Sequence, residues 1–222
     1  MNNKGTEDLQ VEQILKVTDK KKKILLEDGT SFVLYSGEVR KFHLRENEIV
    51  SGQTLEEIFT SVLTKRAKLR CMNLLKASDR TVWQLQDRLK RDGYPEWIIK
   101  TALDYVASYH YTDDLRYAEN FIRLQMGKKS SRMIRLELQK KGISSEDITR
   151  AFEDVKQETK SYGSQTETGD MAAIRKLVQK RHFDSEAATW EEKQKLIAYL
   201  ARKGFSMSDI RAAIGSFPEE SV

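Results

Sequence analysis

One spacing of apolar residues and glycine occurs three times in this sequence, and it constrains the fold more than any other feature. In each copy two aliphatic residues lie four positions apart, a glycine and an apolar residue follow, and an isoleucine, an alanine and a last apolar residue complete the pattern. The copies are Leu85, Leu89, Gly93, Tyr94, Ile99, Ala102 and Leu103; Ile134, Leu138, Gly142, Ile143, Ile148, Ala151 and Phe152; Leu196, Leu200, Gly204, Phe205, Ile210, Ala213 and Ile214. Self-similarity of this kind predicts an array of like modules that stack on their neighbours.

The glycines give the pattern a structural meaning. A leucine, then a glycine four positions later, then an apolar residue is the signature of a Schellman helix end. Gly93, Gly142 and Gly204 should adopt a left-handed backbone, which glycine reaches without steric cost. The next apolar residue should fold back on the leucine five positions before it. Further helices are predicted to start at once, with Pro95 at a first helical position and capping boxes at Thr81, Ser144, Thr189 and Ser206.

Each copy supplies the second and third helices of a three-helix repeat, whose first helix is predicted near 65–77, 113–126 or 169–181. The repeats are placed at 61–111, 112–160 and 161–222, and the extra length of the last copy is expected in a loop around 182–188. Residues 1–60 differ, because strand-like segments flank Asp28-Gly29, a pair favoured in tight hairpins, and helices are predicted from about Ser36 and Thr54. The predicted fold is mainly α: tandem three-helix repeats in an elongated, curved array with a small N-terminal β-hairpin-containing region.

Composition narrows the setting of the protein. Charged residues make up 33% of the 222 residues and hydrophobic residues 39%, a balance that suits thin modules better than one deep core. Cys71 is the only cysteine, so no intramolecular disulfide can form. No apolar stretch is long enough to cross a bilayer, and the first residues lack the apolar core of a secretory signal. We therefore expect a cytoplasmic, monomeric protein that does not bind membranes.

Few residues suggest catalysis. The three histidines, His43, His110 and His182, fall in different modules and do not form a zinc pattern. Asp113 and Asp114 are the one acidic pair that suggests a metal site, and a metal-dependent nuclease is the corresponding alternative function. The structural interpretation is favoured, because the pair stands where a helix should begin and carboxylates there interact with unpaired N–H groups. The sequence thus predicts a protein without enzymatic activity, cofactor or metal.

Basic residues are the candidate binding residues. Lys+Arg exceed Asp+Glu by 39 to 34, a modest excess that becomes informative where it clusters. Arg132 and Arg135 lie one helical turn apart and share a face. The whole set predicts a surface for a polyanion or an acidic protein, although each member alone also fits a solvated helix end. The candidates are Lys128, Lys129, Arg132, Arg135, Lys140, Lys141, Arg88, Lys90, Arg91, Arg202 and Lys203.

Three segments carry a resemblance to a known family. The segment from Tyr111 to Ala118 reads YTDDLRYA, in which Asp113, Asp114, Tyr117 and Ala118 match the tyrosine, aspartate-pair and aromatic-alanine signature of RecX regulatory proteins. Residues 136–143 read LELQKKGI and resemble a second sequence segment that is characteristic of that family. Residues 199–205 read YLARKGF and resemble the third. The resemblance covers about 65–217 and does not include the N-terminal hairpin region.

The resemblance implies a function and a partner. RecX-like proteins bind in the helical groove of the RecA–DNA filament, limit filament growth, and reduce ATP hydrolysis and strand exchange in DNA repair, recombination and the SOS response. They also bind single- or double-stranded DNA more weakly. We therefore expect a non-enzymatic regulator, most simply an inhibitor, that binds the recombinase filament. A module of three-helix units that acts directly on DNA is the alternative, although acidic residues at the starts of the third helices disfavour phosphate binding there.

Overall fold

A computed structural model describes residues 7–161, 169–184 and 187–214 of the chain. The ends of the predicted N-terminal and C-terminal regions, and part of the loop predicted around 182–188, lie outside these residues. The chain divides between Asp113 and Asp114 into two compact units. Unit 1 contains the N-terminal region and the first helix triplet, and unit 2 contains the other two triplets. No helix in the described part of the chain is both long and apolar enough to cross a membrane.

The N-terminal region is a four-stranded antiparallel sheet that contains the predicted hairpin. Its strands are β1 (Leu9–Lys16), β2 (Lys21–Leu26), β3 (Ser31–Tyr35) and β4 (Ile49–Val50), in the order β3-β2-β1-β4. Gly29 completes the predicted β2–β3 turn with a φ of +79°. The prediction missed β4, because a pair of residues is too short to show a periodic signal. A short helix, α1 (Ser36–Lys41), follows β3 as predicted.

Unit 1 has one hydrophobic core that the sheet shares with the first triplet. A continuous helical stretch enters the triplet through α2 (Gly52–Glu57), a π-helical segment (Ile58–Thr64) and α3 (Lys65–Ala77), and α4 (Val82–Arg91) and α5 (Glu96–Ser108) complete it. Phe32 of β3 contacts Phe59 edge to face, with ring centroids 5.2 Å apart, and Phe59 contacts Trp97 in the same way. The sheet therefore packs on the first triplet through aromatic side chains.

Unit 2 contains two triplets with separate hydrophobic cores. The first consists of α6 (Asp114–Gln125), α7 (Ser131–Lys140) and α8 (Ser145–Ser161), and the second of α9 (Asp170–Lys180), α10 (Trp190–Arg202) and α11 (Met207–Ile214). Ala118 and Ile122 belong to the first core, and Ile174 and Leu200 to the second. The first helix of each triplet begins and ends within one residue of its predicted bounds.

The predicted glycine helix ends are confirmed. Gly93, Gly142 and Gly204 follow α4, α7 and α10 with φ angles of +85°, +81° and +88°. The N–H of Tyr94 donates to the carbonyl oxygen of Leu89 at 3.2 Å, which is the defining bond of a Schellman end. Equivalent bonds of 3.3 Å close α7 and α10.

The three histidines have the same structural role as these glycines. His43, His110 and His182 follow α1, α5 and α9 with φ angles between +51° and +54°. The N–H of the residue after each histidine donates to a carbonyl oxygen five positions earlier. Histidine is enriched among the non-glycine residues that tolerate the left-handed region. The sequence pattern gave no sign of this role.

Side-chain caps start the helices where the sequence predicts them. Thr81 and Gln84 form a reciprocal capping box at α4, and Thr189 and Glu192 form another at α10. The hydroxyl oxygens of Ser144 and Ser206 likewise accept backbone N–H groups at α8 and α11. Pro95 lies one residue earlier than predicted, at the N-cap of α5. Its extended ψ of 150° excludes it from the helix, and its carbonyl accepts the first helical bond from Ile99.

The extra length of the last copy is not confined to the predicted loop. The 17-residue helix α8 is four residues longer than α5, and the 13-residue helix α10 is three longer than α7. The prediction was wrong for these residues, because charged side chains along α8 continue the helical pattern without adding an apolar signal.

Candidate functional site

The two triplets of unit 2 meet through hydrogen bonds at the start of α7. The N–H of Ser130 donates to the carbonyl oxygen of Lys203, at the end of α10, at 3.0 Å. The N–H and the hydroxyl of Ser131 both donate to Oδ1 of Asp170, at the start of α9, each at 2.8 Å. Ser130 is fully buried, and its hydroxyl also caps α7 by accepting the N–H of Met133. The N-terminus of α7 therefore binds the start of α9 and the end of α10.

Basic residues from both triplets meet beside this junction, in what we name the junction cleft. It has a volume of about 280 Å³ and is lined by Lys129, Met133, Glu137, Tyr199, Arg202 and Lys203. Lys129 is partly neutralised, because its Nζ lies 2.6 Å from a carboxylate oxygen of Glu137. Arg202 is exposed and forms no ion pair with any residue that the structure describes. The cleft thus joins candidates that lie more than 70 positions apart in the sequence.

Tyr199 organises cations at one side of the junction cleft. The guanidinium carbon of Arg181 lies 3.7 Å from the centroid of the Tyr199 ring, and Nζ of Lys203 lies 5.0 Å from it. Such contacts with the ring face are electrostatically favourable. Sequence reasoning did not select Arg181, although Tyr199 belongs to the segment 199–205 that carries the family resemblance.

A second cleft, of about 300 Å³, lies between α7, α8 and the start of α9. Arg135 borders it, with its guanidinium 4.3 Å from the ring centroid of Phe152 and one Nη atom 3.3 Å from the hydroxyl of Thr149. The side chains of Ile134 and Ala173 form the apolar part of its wall. Arg135 is therefore held in place by packing, whereas its predicted partner Arg132 is exposed.

The other candidates of unit 2 lie at the two ends of α7. Lys128 and Lys140 are exposed and form no ion pair among the residues described. Lys141 lies over two aromatic rings, with Nζ 5.7 Å from the centroid of Tyr117 and 5.4 Å from that of Phe121. These two rings are stacked on each other. The signature residue Tyr117 therefore contacts the lysine at the C-terminal end of α7.

The candidates of the first triplet lie in unit 1 and are paired with acidic neighbours. Arg88 binds Asp92, Arg91 binds Asp87 at 2.8 Å, and Nζ of Lys90 lies 3.3 Å from Glu96. Ion pairs at exposed positions contribute little stability, but they lower the net charge that a distant polyanion experiences. The structure therefore separates the ion-paired candidates of unit 1 from four exposed cations of unit 2 that form no ion pair among the residues described: Lys128, Arg132, Lys140 and Arg202.

The aspartate pair lies at a helix start. Asp114 is the first residue of α6 and Asp113 precedes it, which is the placement that the structural interpretation predicts. Among the residues described, no group of three or more histidine, cysteine, aspartate or glutamate side chains is arranged to hold a metal ion. Cys71 is buried in α3, and desolvation raises the pKa of its thiol to about 11. This environment disfavours a nucleophilic thiolate at neutral pH.

Successive three-helix domains, each with its own second and third helices joined by a glycine helix end, define a class of helical-repeat proteins. Family models for the first, second and third three-helix domains of RecX match residues 67–105, 113–151 and 169–214. The chain belongs to the RecX family of regulatory proteins.

Individual relatives agree with this membership. Regulatory protein RecX of Vibrio vulnificus is 30% identical over 145 residues, which cover 64% of this chain and 87% of the relative. RecX of Clostridium acetobutylicum is 25% identical over 204 residues, covering 89% and 92%. A crystal structure of regulatory protein RecX superimposes with a TM-score of 0.53 at 22% identity, covering 93% of this chain and 98% of that one. RecX from Lactobacillus salivarius gives a TM-score of 0.51 at 24% identity, covering 69% and 96%.

Proposed function

We propose that this protein binds the groove of the RecA–DNA filament and inhibits filament growth, ATP hydrolysis and strand exchange without catalysing a reaction itself. Membership of a family of regulatory proteins supports the regulatory role. The observation that carries the proposal is the junction cleft, where Lys129, Arg202 and Lys203 converge from two repeats. A surface built across repeats suits a partner that is itself repetitive and acidic, because many weak contacts then add.

Direct docking of helix N-termini on DNA is the less favoured alternative. The third helix of each of the first two triplets begins with acidic residues: Glu96 at α5, and Glu146 and Asp147 at α8. Carboxylates at a helix start repel phosphate, and they already interact with the positive end of the helix dipole. A recognition helix that approached DNA by this end would be opposed electrostatically.

Co-sedimentation with recombinase filaments tests the proposal. The test variant replaces Arg202 of the junction cleft and three other exposed cations of unit 2, Lys128, Arg132 and Lys140, with glutamine. Lys129 and Lys203 are kept because they contact Glu137 and Tyr199, so the internal contacts of unit 2 stay unchanged. Four exposed contacts at about 0.4 kcal/mol each predict binding weakened about tenfold at low salt. The difference should shrink as salt rises, since exposed charges are screened beyond about 8 Å at physiological ionic strength.

The control variant removes the same charge from ion-paired positions of unit 1. Lys41, Lys90, Arg91 and Lys100 each pair with a carboxylate, so their replacement by glutamine should change filament binding less. Equal losses in both variants would reduce the effect to net charge and contradict the proposed surface. Retention of full inhibition of ATP hydrolysis by the test variant would contradict it as well.

A further inference from the structure

Unit 1 carries a second basic surface, where the N-terminal sheet, which lies outside the family resemblance, meets the first triplet. Strands β2 and β3 pair so that Lys21 lies opposite Tyr35 and Lys23 opposite Val33. Directly opposed residues share a face of a sheet, and the alternate residues Ile24 and Phe32 are fully buried on the core side. The outer face of this edge therefore presents lysines and a tyrosine.

Helices α3 and α4 turn this outer face into a groove. The groove has a volume of about 310 Å³, and its polar lining comes from Lys21, Tyr35, Arg66, Arg70, Asn73, Arg88, Asp92 and Tyr94. Its wall is fixed by close packing, because an added Cβ at Gly93 would overlap the side chain of Val33. We name it the sheet–helix groove.

The arginines of the groove are held in place but keep donors for a ligand. Nε of Arg70 lies 2.9 Å from Oδ2 of Asp92, and Nε of Arg88 lies 3.3 Å from the other carboxylate oxygen. Two guanidinium groups thus share one carboxylate, which leaves an excess positive charge. Both pairs use Nε atoms, so the terminal Nη groups, which make no hydrogen bond to a described residue, remain for a ligand.

Cations also flank the tyrosine ring at the other end of the groove. The guanidinium of Arg66 lies 4.7 Å from the Tyr35 ring centroid and is paired with Glu38, while Nζ of Lys21 lies 5.7 Å from the centroid. Lys21 forms no ion pair within the described part of the chain. Tyr35 keeps 42% of its surface exposed, so part of this aromatic ring stays open to a ligand.

Neutral donors complete the site. Burial raises the pKa of Tyr94 to about 12, so its hydroxyl stays protonated at neutral pH and can donate a hydrogen bond. The exposed Asn73 adds an amide. Among the residues that the structure describes, Asp92 is the one carboxylate that lines the groove, and two arginines pair with it. The groove is therefore rich in donors and poor in free acceptors, which is the chemistry that recognises anions.

We infer that the sheet–helix groove binds the phosphodiester backbone of a single-stranded nucleic acid, with Tyr35 stacking on a base. The cations alone would also suit an acidic peptide. The exposed tyrosine, and Leu69 with 59% of its surface exposed at the groove, favour a ligand that alternates phosphate with flat apolar groups. This inference goes beyond the proposed function, because the site lies in unit 1 and requires no recombinase.

Fluorescence anisotropy of a labelled oligothymidylate of about 12 nucleotides tests the inference with the full chain and no recombinase present. The groove variant combines Lys21→Gln with Arg88→Gln, and the control combines Lys41→Gln with Lys100→Gln, which removes equal charge from ion-paired positions outside the groove. Loss of two phosphate contacts should weaken binding on the order of tenfold at low salt. It should also reduce the slope of log K against log salt by about 1.4.

A third variant tests the base contact separately from charge. Tyr35→Leu should weaken binding of the oligothymidylate several-fold while leaving unchanged the binding of a base-free phosphodiester of equal length. Lys21→Gln alone, at a residue without an ion pair in the described chain, serves as the variant least able to disturb folding. Unfolding by circular dichroism verifies the fold of each variant.

Three outcomes would overturn the inference. The first is a groove variant that binds as tightly as the control variant. The second is equal loss of thymidylate and base-free binding in Tyr35→Leu. The third is competition by polyglutamate that matches unlabelled oligonucleotide at equal charge, which would assign the groove to an acidic peptide. Failure here leaves the filament assay unaffected, because that assay tests cations of unit 2.

Discussion

Substitution of Gly204 by alanine tests how the two triplets of unit 2 are joined. Gly204 has a φ of +88°, which strains any residue with a side chain. Its added Cβ would also lie 2.7 Å from Oγ of Ser130 and 2.8 Å from Cβ of Met133, at the start of α7. The second contact involves a Cβ fixed to the backbone, so a rotamer change cannot relieve it.

The expected loss of stability has two parts. The left-handed backbone costs alanine about 1 kcal/mol. Overpacking against Ser130 and Met133 adds about 2 kcal/mol, within the usual range for an inserted carbon in a close-packed site. The Ser130 hydroxyl cannot move away freely, because it is buried and caps α7. Together these terms predict a free energy of unfolding lowered by about 3 kcal/mol.

Gly127→Ala is the matched control in the same unit. Gly127 also has a positive φ, +76°, but its added Cβ would meet only Cδ of Lys176 at an ordinary 3.9 Å. Gly127→Ala should therefore lower the free energy of unfolding only by the cost of the left-handed backbone, about 1 kcal/mol. For a unit of about 100 residues the difference corresponds to a melting temperature lower by roughly 10 °C in Gly204→Ala.

Thermal unfolding followed by far-ultraviolet circular dichroism measures both variants. Equal shifts of the melting temperature would refute the reasoning, because they would show that the packing between the two triplets accommodates the added Cβ without loss of stability. A larger shift for Gly127→Ala would refute it as directly.

Three further predictions concern single sites. Cys71 should react with a thiol reagent at pH 8 orders of magnitude more slowly in the folded protein than in urea, because burial raises its pKa to about 11; fast labelling of the native protein would contradict this. Hydrogen bonds from Thr189 lower the pKa of Glu192, so the carboxylate stabilises α10 above pH 4.3 or so and loses this effect as pH falls through the lowered pKa. Glu192→Gln should therefore show a shallower loss of stability between neutral and acidic pH in melts than the natural protein. Asp113→Asn with Asp114→Asn should lower the melting temperature without removing any stoichiometric Mn²⁺ binding, and isothermal titration that detects tight binding lost in this variant would contradict the structural interpretation.

The candidate site was only partly predictable. The sequence selected Lys129, Arg202 and Lys203 individually, because they lie at helix ends, but it could not show that they line one cleft. It also treated Arg88 as equivalent to Lys128, whereas Arg88 pairs with a carboxylate and Lys128 is exposed without an ion pair in the described residues. Charge type is written in the sequence, but neutralisation depends on which side chains approach in space.

The sequence by itself determined the modules and their helix ends. A Schellman end such as Leu89–Tyr94 and a cap such as Ser144–Asp147 join residues at most five positions apart, so their signals survive without knowledge of the fold. Only the tertiary structure decided the features that depend on distant partners. Strand β4 exists because β1 supplies its hydrogen bonds, and the junction cleft exists because Ser130 meets Lys203. Such contacts arise when separate apolar faces pack together, and no local spacing records which faces will meet.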